Sequence, residues 1–91
     1  MAAKSRFTLM VEAKYPGCLI VRRNGKTHVV VDERHEVGKR NGRPLFARRW
    51  SVFQVRLARW TDGTEDVSSS PVAQGLTTRR DAVAAAEADA V

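Results

Sequence analysis

The segment from Arg48 to Trp60 has the alternation of a long β-strand, and we interpret the rest of the chain around it. Because successive side chains of a strand point to opposite faces, Phe53, Val55 and Leu57 fall together on one face. The residues on the other face are Trp50, Val52, Gln54, Arg56, Ala58 and Trp60. The first set predicts a core face, whereas the second, mixed set indicates either a second packing layer or a contact surface.

The length of 91 residues predicts a single small basic domain over residues 1–91, with one modest core and no cofactor. Apolar residues make up 43% of the chain, which is typical of a folded protein. The single Cys18 leaves no internal disulfide, and no apolar run approaches the length of a membrane span. We therefore expect a cytoplasmic protein without membrane contact, in which residues 1–5 form a short flexible lead-in.

Positive charge is concentrated in the first two thirds of the chain. Residues 1–60 carry 14 basic and 4 acidic side chains, a net charge of +10, while residues 61–91 carry 2 basic and 6 acidic ones, a net charge of −4. The segment from Arg34 to Arg59 alone has a net charge of +7. A polyanion is therefore the predicted partner. The candidate contact residues are Arg34, Lys39, Arg40, Arg43, Arg48, Arg49, Gln54 and Arg56.

The first third of the chain predicts three short strands. Phe7 to Lys14 alternates between apolar and polar residues and is predicted as a first strand. Residues 18–23 and 27–32 flank Asn24-Gly25, which is the strongest local signal for a tight hairpin turn because both residues tolerate a positive φ.

Residues 33–44 are polar, basic and without a sustained period. They predict either a basic loop or, if Asn41-Gly42 forms a second tight turn, an extended hairpin arm. In both cases the segment projects positive charge from the domain.

The last third predicts a turn at Asp62-Gly63, a short edge strand over residues 65–69, a break at residues 68–71 and a helix over about residues 79–89 with Thr78 as its N-cap. The helix is rich in alanine, so its small-residue face is expected to lie close against the sheet. The predicted contacts of that face are Phe53, Val55 and Leu57. The predicted fold is α+β, an antiparallel sheet of four to five strands with a single C-terminal helix.

Residues 49–90 resemble the arm-type DNA-binding domain of tyrosine recombinases and phage integrases. The resemblance is carried by Trp50, the alternating apolar residues up to Leu57, the Asp62-Gly63 turn and the segment from Gly75 to Ala82. In that family a strand led by Trp, a turn, a second strand and a helix opening with Thr, two basic residues, an acid and Ala form a sheet that enters the DNA major groove. The resemblance implies DNA-contacting roles for Arg49, Gln54 and Arg56.

The residues do not indicate catalysis. His28, His35 and Cys18 lack the spacing of a metal site, and the chain has no phosphate-binding glycine loop or serine-nucleophile motif. Trp50, if it is exposed beside Arg48 and Arg49, is a candidate for stacking on a base. We therefore predict a binding protein with no metal and no enzymatic activity.

Two classes of function remain open. The first is binding to nucleic acid, most naturally DNA and otherwise RNA, through the Arg-rich segment and a sheet surface. The second is a small regulatory protein-interaction module, encoded by a phage or mobile element, that uses a sheet edge or the mixed face around Val52, Gln54 and Trp60. The opposite charges of the two ends also permit head-to-tail self-association.

Overall fold

The computed structural model describes residues 4–91 and has an α+β fold. The elements in chain order are α1 (Arg6–Lys14), β1 (Leu19–Arg23), β2 (Lys26–Arg40), β3 (Arg43–Arg59), β4 (Glu65–Leu76) and α2 (Arg79–Asp89). The four strands form one antiparallel sheet in the order β1-β2-β3-β4. The antiparallel sheet is confirmed with four strands, but the prediction of a single helix is wrong, because the described residues contain two. The expected flexible lead-in falls partly on residues 1–3, which lie outside the described range.

The segment predicted as a first strand is the helix α1. Its N-cap is Ser5, whose hydroxyl accepts a hydrogen bond of 3.1 Å from the backbone N–H of Thr8. Phe7, Met10 and Val11 follow the i, i+3, i+4 spacing of a helix and pack on the sheet, whereas Leu9 is 54% exposed. The segment carried both a two-residue and a helical period, and the N-cap together with packing on the sheet selected the helix.

The two helices cover opposite faces of the sheet. On one face Val11 of α1 packs with Val29, Val55 and Val67. On the other face Ala82 and Ala86 of α2 pack with Val30 and Val52. The mixed face of the central strand is therefore a second packing layer in the part of the sheet that α2 covers.

The predicted contacts of the C-terminal helix are wrong in detail. Phe53 and Val55 pack in the cluster of α1, and Leu57 is 42% exposed. The reason is geometric: α2 occupies the face of the even-numbered β3 residues, and α1, which the sequence did not predict, takes the other.

The strand β4 is longer than predicted, and residues 68–71 do not break it. It lies at the edge of the sheet, where Pro71 is tolerated because one side of the strand needs no ladder hydrogen bond. Register shifts against β3 occur on both sides of Val52, next to this proline. Ser68 to Ser70 pair with Arg56 to Gln54 as regular strand residues.

Local signals place α2 correctly. The Thr78 hydroxyl accepts a hydrogen bond of 3.1 Å from the backbone N–H of Asp81, which confirms Thr78 as the N-cap.

Asn24, with φ of 54°, and Gly25, with φ of 75°, form the turn between β1 and β2, as predicted. The Asn24 side-chain amide also donates a 2.9 Å hydrogen bond to the carbonyl of Ala90, which ties this turn to the end of α2.

A buried histidine provides a second anchor for α2. His28 is 0% exposed, and its Nε2 lies 2.7 Å from Oδ2 of Asp89. Asp89→Ala should lower the free energy of unfolding by about 1–3 kcal/mol, because the buried imidazole N–H loses its acceptor. Thermal unfolding should show a decrease of roughly 4–8 °C for each kcal/mol lost.

Glu87→Ala is the matched control for this change. Glu87 lies on the same helix and forms an ion pair with Arg23 at 3.7 Å. Both side chains of this pair are exposed to solvent. Such a pair contributes little, about 0–1 kcal/mol. Equal melting temperatures for the Asp89 and Glu87 variants would show that the histidine contact does not hold the helix.

Candidate nucleic-acid interface

The β2–β3 hairpin extends well beyond the rest of the sheet. β1 pairs only with residues 26–30 of β2, and β4 pairs only with residues 50–59 of β3. Residues 32–49 therefore form a two-stranded arm, and we use "the arm" for these residues. The long axis of the molecule is 52 Å, and its radius of gyration is 15.5 Å, compared with about 12 Å for a compact domain of this length. Of the two alternatives for residues 33–44, the structure has the hairpin.

The tip of the arm is a tight turn at Asn41-Gly42. Their φ angles are 53° and 76°, in the left-handed region that this turn requires. Residues 37–49 carry five basic and no acidic side chains, whereas the three acidic residues of the arm lie nearer its base. Positive charge therefore increases from the base of the arm toward its tip.

The basic residues divide between the two faces of the arm. Directly opposed residues of an antiparallel pair share a face, and the register pairs Arg34 with Arg48, Lys39 with Pro44 and Arg40 with Arg43. One face continues the side of the sheet under α1, and we call it the α1-side face. It carries Arg40, Arg43 and Arg49. The α2-side face carries Arg34, Lys39 and Arg48.

Two cations of the α2-side face have partners within the arm. Nε of Arg48 lies 3.3 Å from Oδ2 of Asp32. The guanidinium of Arg34 lies over the ring of Phe46, 5.5 Å from its centroid, in a cation–π contact. The Arg48–Asp32 pair offsets one positive charge of this face, whereas the contact of Arg34 with Phe46 orients the guanidinium and leaves its charge in place.

The arginines of the α1-side face form no ion pair with any residue between Lys4 and Val91. Arg40 and Arg43 are exposed at the tip, and Arg49 is half-buried at the base. Arg49 donates a 3.0 Å hydrogen bond to the carbonyl of Arg48. Its cross-strand neighbour Glu33 lies 3.0 Å from His35 instead. Within residues 4–91, this face therefore presents three arginines without an ion pair, and the Glu33 carboxylate lies beside Arg49 at the base.

Two of the predicted contact residues lie away from the arm. Gln54 is half-buried in the body of the sheet, opposite His28 and Ser70. Arg56 is exposed toward the far end of β3. Thirteen residues of one strand separate Arg56 from Arg43, which corresponds to about 44 Å. The structure thus brings together six of the eight predicted residues and separates the other two from them.

Trp50 lies at the base of the arm and packs against the cluster under α2. It is half-buried and borders a cavity of about 220 Å³ together with Asp32 and Arg79. Trp60 follows the last residue of β3 and is 60% exposed. The role of Trp50 in stacking on a base remains a prediction.

Sequence reasoning did not single out three apolar residues of the arm. Val37, Leu45 and Phe46 are 51%, 44% and 52% exposed, and none belongs to either core cluster. The signal in the sequence was the adjacent apolar pair Leu45-Phe46. It lies inside the most basic segment of the chain, where folding alone does not require it.

The described residues offer little for other chemistry. No group of three or more His, Cys, Asp or Glu residues gathers as a metal site within residues 4–91. Burial, and secondarily the charge of Glu12, raise the pKa of the Cys18 thiol, which disfavours the reactive thiolate. Within the same range, neither helix has the length and apolar character needed to cross a membrane.

Comparisons with known proteins gave no match to this chain. No protein-family model matches it, and neither a curated protein sequence nor a solved structure is significantly similar. The geometry and charge of the arm are therefore the basis on which a function is inferred.

Proposed function

We propose that this protein is a non-enzymatic nucleic-acid-binding protein whose arm contacts the phosphate backbone of duplex DNA. The observation that carries the proposal is the set of arginines on the α1-side face that form no ion pair within residues 4–91, Arg40, Arg43 and Arg49. A guanidinium presents a planar fork of donors that matches a phosphate group, and it is less strongly hydrated than an ammonium. Cations that form no ion pair are available to replace the counterions of a polyanion.

The shape of the arm supports DNA over RNA. Two-stranded β-ribbons bind B-form DNA in either the major or the minor groove. The major groove of A-form RNA is deep and narrow, and side chains cannot read it. A twisted ribbon carrying arginines therefore suits B-form DNA better than an RNA duplex.

The packing of the two helices on the sheet favours a DNA contact through the arm over one through a face of the sheet. α1 and α2 cover opposite faces, and Val29, Val30, Val52 and Val55 are almost completely buried. The body holds the base of the arm, while the arm reaches outward as the contact element. Arg56 and Lys26, exposed at the far end of the sheet, form a separate basic area that one ligand would reach only by wrapping around the body.

The second candidate function is a protein-interaction module, and the exposed apolar residues of the arm favour it. Val52 cannot serve as its contact residue, because this side chain is 0% exposed beneath α2. Val37, Leu45 and Phe46 offer exposed apolar side chains in its place, with Leu45 and Phe46 on opposite faces of the arm. A regulatory role in a phage or mobile element, and self-association through the oppositely charged ends, belong to this second candidate.

Fluorescence anisotropy with a labelled random-sequence DNA duplex and a matching RNA duplex tests the proposal. We expect micromolar or tighter binding to DNA at low salt and weaker binding to RNA. Three phosphate contacts, from Arg40, Arg43 and Arg49, would give a slope of log K against log[salt] of roughly −3. Absence of DNA binding at low salt would overturn the proposal, and the exposed apolar residues of the arm would then be tested against protein partners.

A further inference from the structure

Resting on the proposed function, we propose that Leu45 is an apolar wedge that enters a base step of duplex DNA from the minor groove and kinks the duplex. In this arrangement Arg40 and Arg43, on the same face of the arm, hold the phosphates beside that step. Proteins that bend DNA insert apolar side chains between base steps from the minor groove and produce kinks of about 20–90°. The protein would then shape DNA as well as bind it.

The first observation is the isolation of Leu45 on the arm. Its cross-strand partner is Gly38, which has no side chain, and a Cβ placed on Gly38 would meet no atom within 4 Å. Leu45 is 44% exposed and belongs to neither core cluster. An isolated Leu opposite a Gly contributes little to folding, and the open space beside it lets another molecule approach closely.

The second observation is the β-bulge in β2. The register shifts between Glu36 and Gly38, so that Val37 is an extra residue on that strand. A bulge bends its strand, increases the local twist and changes the direction of nearby side chains. Because of this shift Gly38, and not a larger residue, lies opposite Leu45.

The third observation is the pattern of charge around Leu45. A depression at the tip of the arm is bordered by Arg40, Asn41, Arg43, Pro44 and Leu45, so the leucine lies beside the two tip arginines. Toward the base, the same face continues with Ala47 opposite His35 and then Arg49 opposite Glu33. Arg43 and Arg49 are six residues apart, or about 20 Å along the strand. A short apolar surface flanked by cations is complementary to a stack of bases flanked by phosphates.

Phe46 is a poor candidate for the wedge despite its larger ring. It lies on the α2-side face, and the guanidinium of Arg34 is stacked over its ring. The ion pair of Arg48 with Asp32 lies on the same face. Phe46 is nevertheless exposed, at 52% against 44% for Leu45, which makes it a suitable control.

The experiment measures binding and bending on the same DNA. A duplex of about 20 base pairs, with a dye at each end, reports a kink as an increase in Förster transfer, because DNA of this length is stiff when free. Wild-type protein and Phe46→Ala should both increase the transfer at saturation. Leu45→Ala should bind with the same salt slope but lose most of the increase, and Leu45→Met should retain it.

The outcomes distinguish this inference from the proposed function. Wild-type binding without a change in transfer would overturn the wedge and leave the DNA-binding proposal intact. Equal bending by Leu45→Ala and the wild type would also overturn the wedge. Failure of the wild type to bind DNA would overturn both. Because Leu45 and Phe46 lie outside both core clusters, each variant should melt within a few degrees of the wild type, the larger change being that of Phe46→Ala, which loses the contact with Arg34; the same preparations can verify this.

Discussion

Replacing Arg40, Arg43 and Arg49 together with alanine should weaken binding to a DNA duplex by more than about 100-fold at about 0.1 M salt. These arginines lie on one face of the arm and have no ion-pair partner within residues 4–91. Each phosphate that a cation neutralises contributes roughly 0.9 to the slope of log K against log[salt]. The slope should therefore become shallower by about 2 to 3, which anisotropy titrations at several salt concentrations measure directly.

The matched control removes the same charge from the other face. A variant with Arg34, Lys39 and Arg48 replaced by alanine also loses three positive charges from the arm, but from the α2-side face, where Arg48 is paired with Asp32. Its affinity should fall by less than about tenfold, and its slope should change little. Equal losses for the two triple variants would mean that the arm attracts DNA through its net charge alone, without a preferred face.

Ala86→Leu should lower the free energy of unfolding by about 1–3 kcal/mol, because the added side chain has no space between α2 and the sheet. Ala86 is 0% exposed and packs with Val30 and Val52. The alanines of α2 set how closely the helix lies against the sheet. Thermal unfolding should show a decrease of several degrees or more, given roughly 4–8 °C for each kcal/mol in a domain of this size.

Ala84→Leu makes the same chemical change on the exposed side of the same helix. Leucine and alanine have similar helix propensities, so the melting temperature should stay near that of the wild type. A comparable loss in both variants would place the effect in the helix itself and not in its contact with the sheet.

The elements that the sequence predicted correctly are those with local chemical signals. Thr78 opens a helix with a hydroxyl cap, and Asn24-Gly25 forms a turn that few other residue pairs accept. α1 was mispredicted because its apolar residues fit two periods at once, and the choice depended on contacts with distant strands. β4 was predicted too short because Pro71 is compatible with a strand only at a sheet edge, and edge position is a property of the whole sheet.

The basic character of the site was predictable from the sequence, but its division between two faces was not. Counting alternate residues along β2 from Val30 would place Arg40 on the α2-side face. The bulge at Val37 shifts the alternation by one residue, so Arg40 joins Arg43 on the α1-side face and Lys39 moves to the other. A bulge has a weak sequence signal, so only the strand register of the structure shows which basic residues share a face.

The arm also has two open edges, and these bear on how the protein behaves when it is concentrated. Residues 31–40 of β2 and 43–49 of β3 each pair on one side only, so both outer sides present unpaired backbone donors and acceptors. Exposed edges of this kind are templates for pairing between chains. Like charges on neighbouring arms oppose such pairing, so the arginines protect the protein from aggregation. A variant with a charge-neutral arm should consequently be less soluble even where its fold is unchanged.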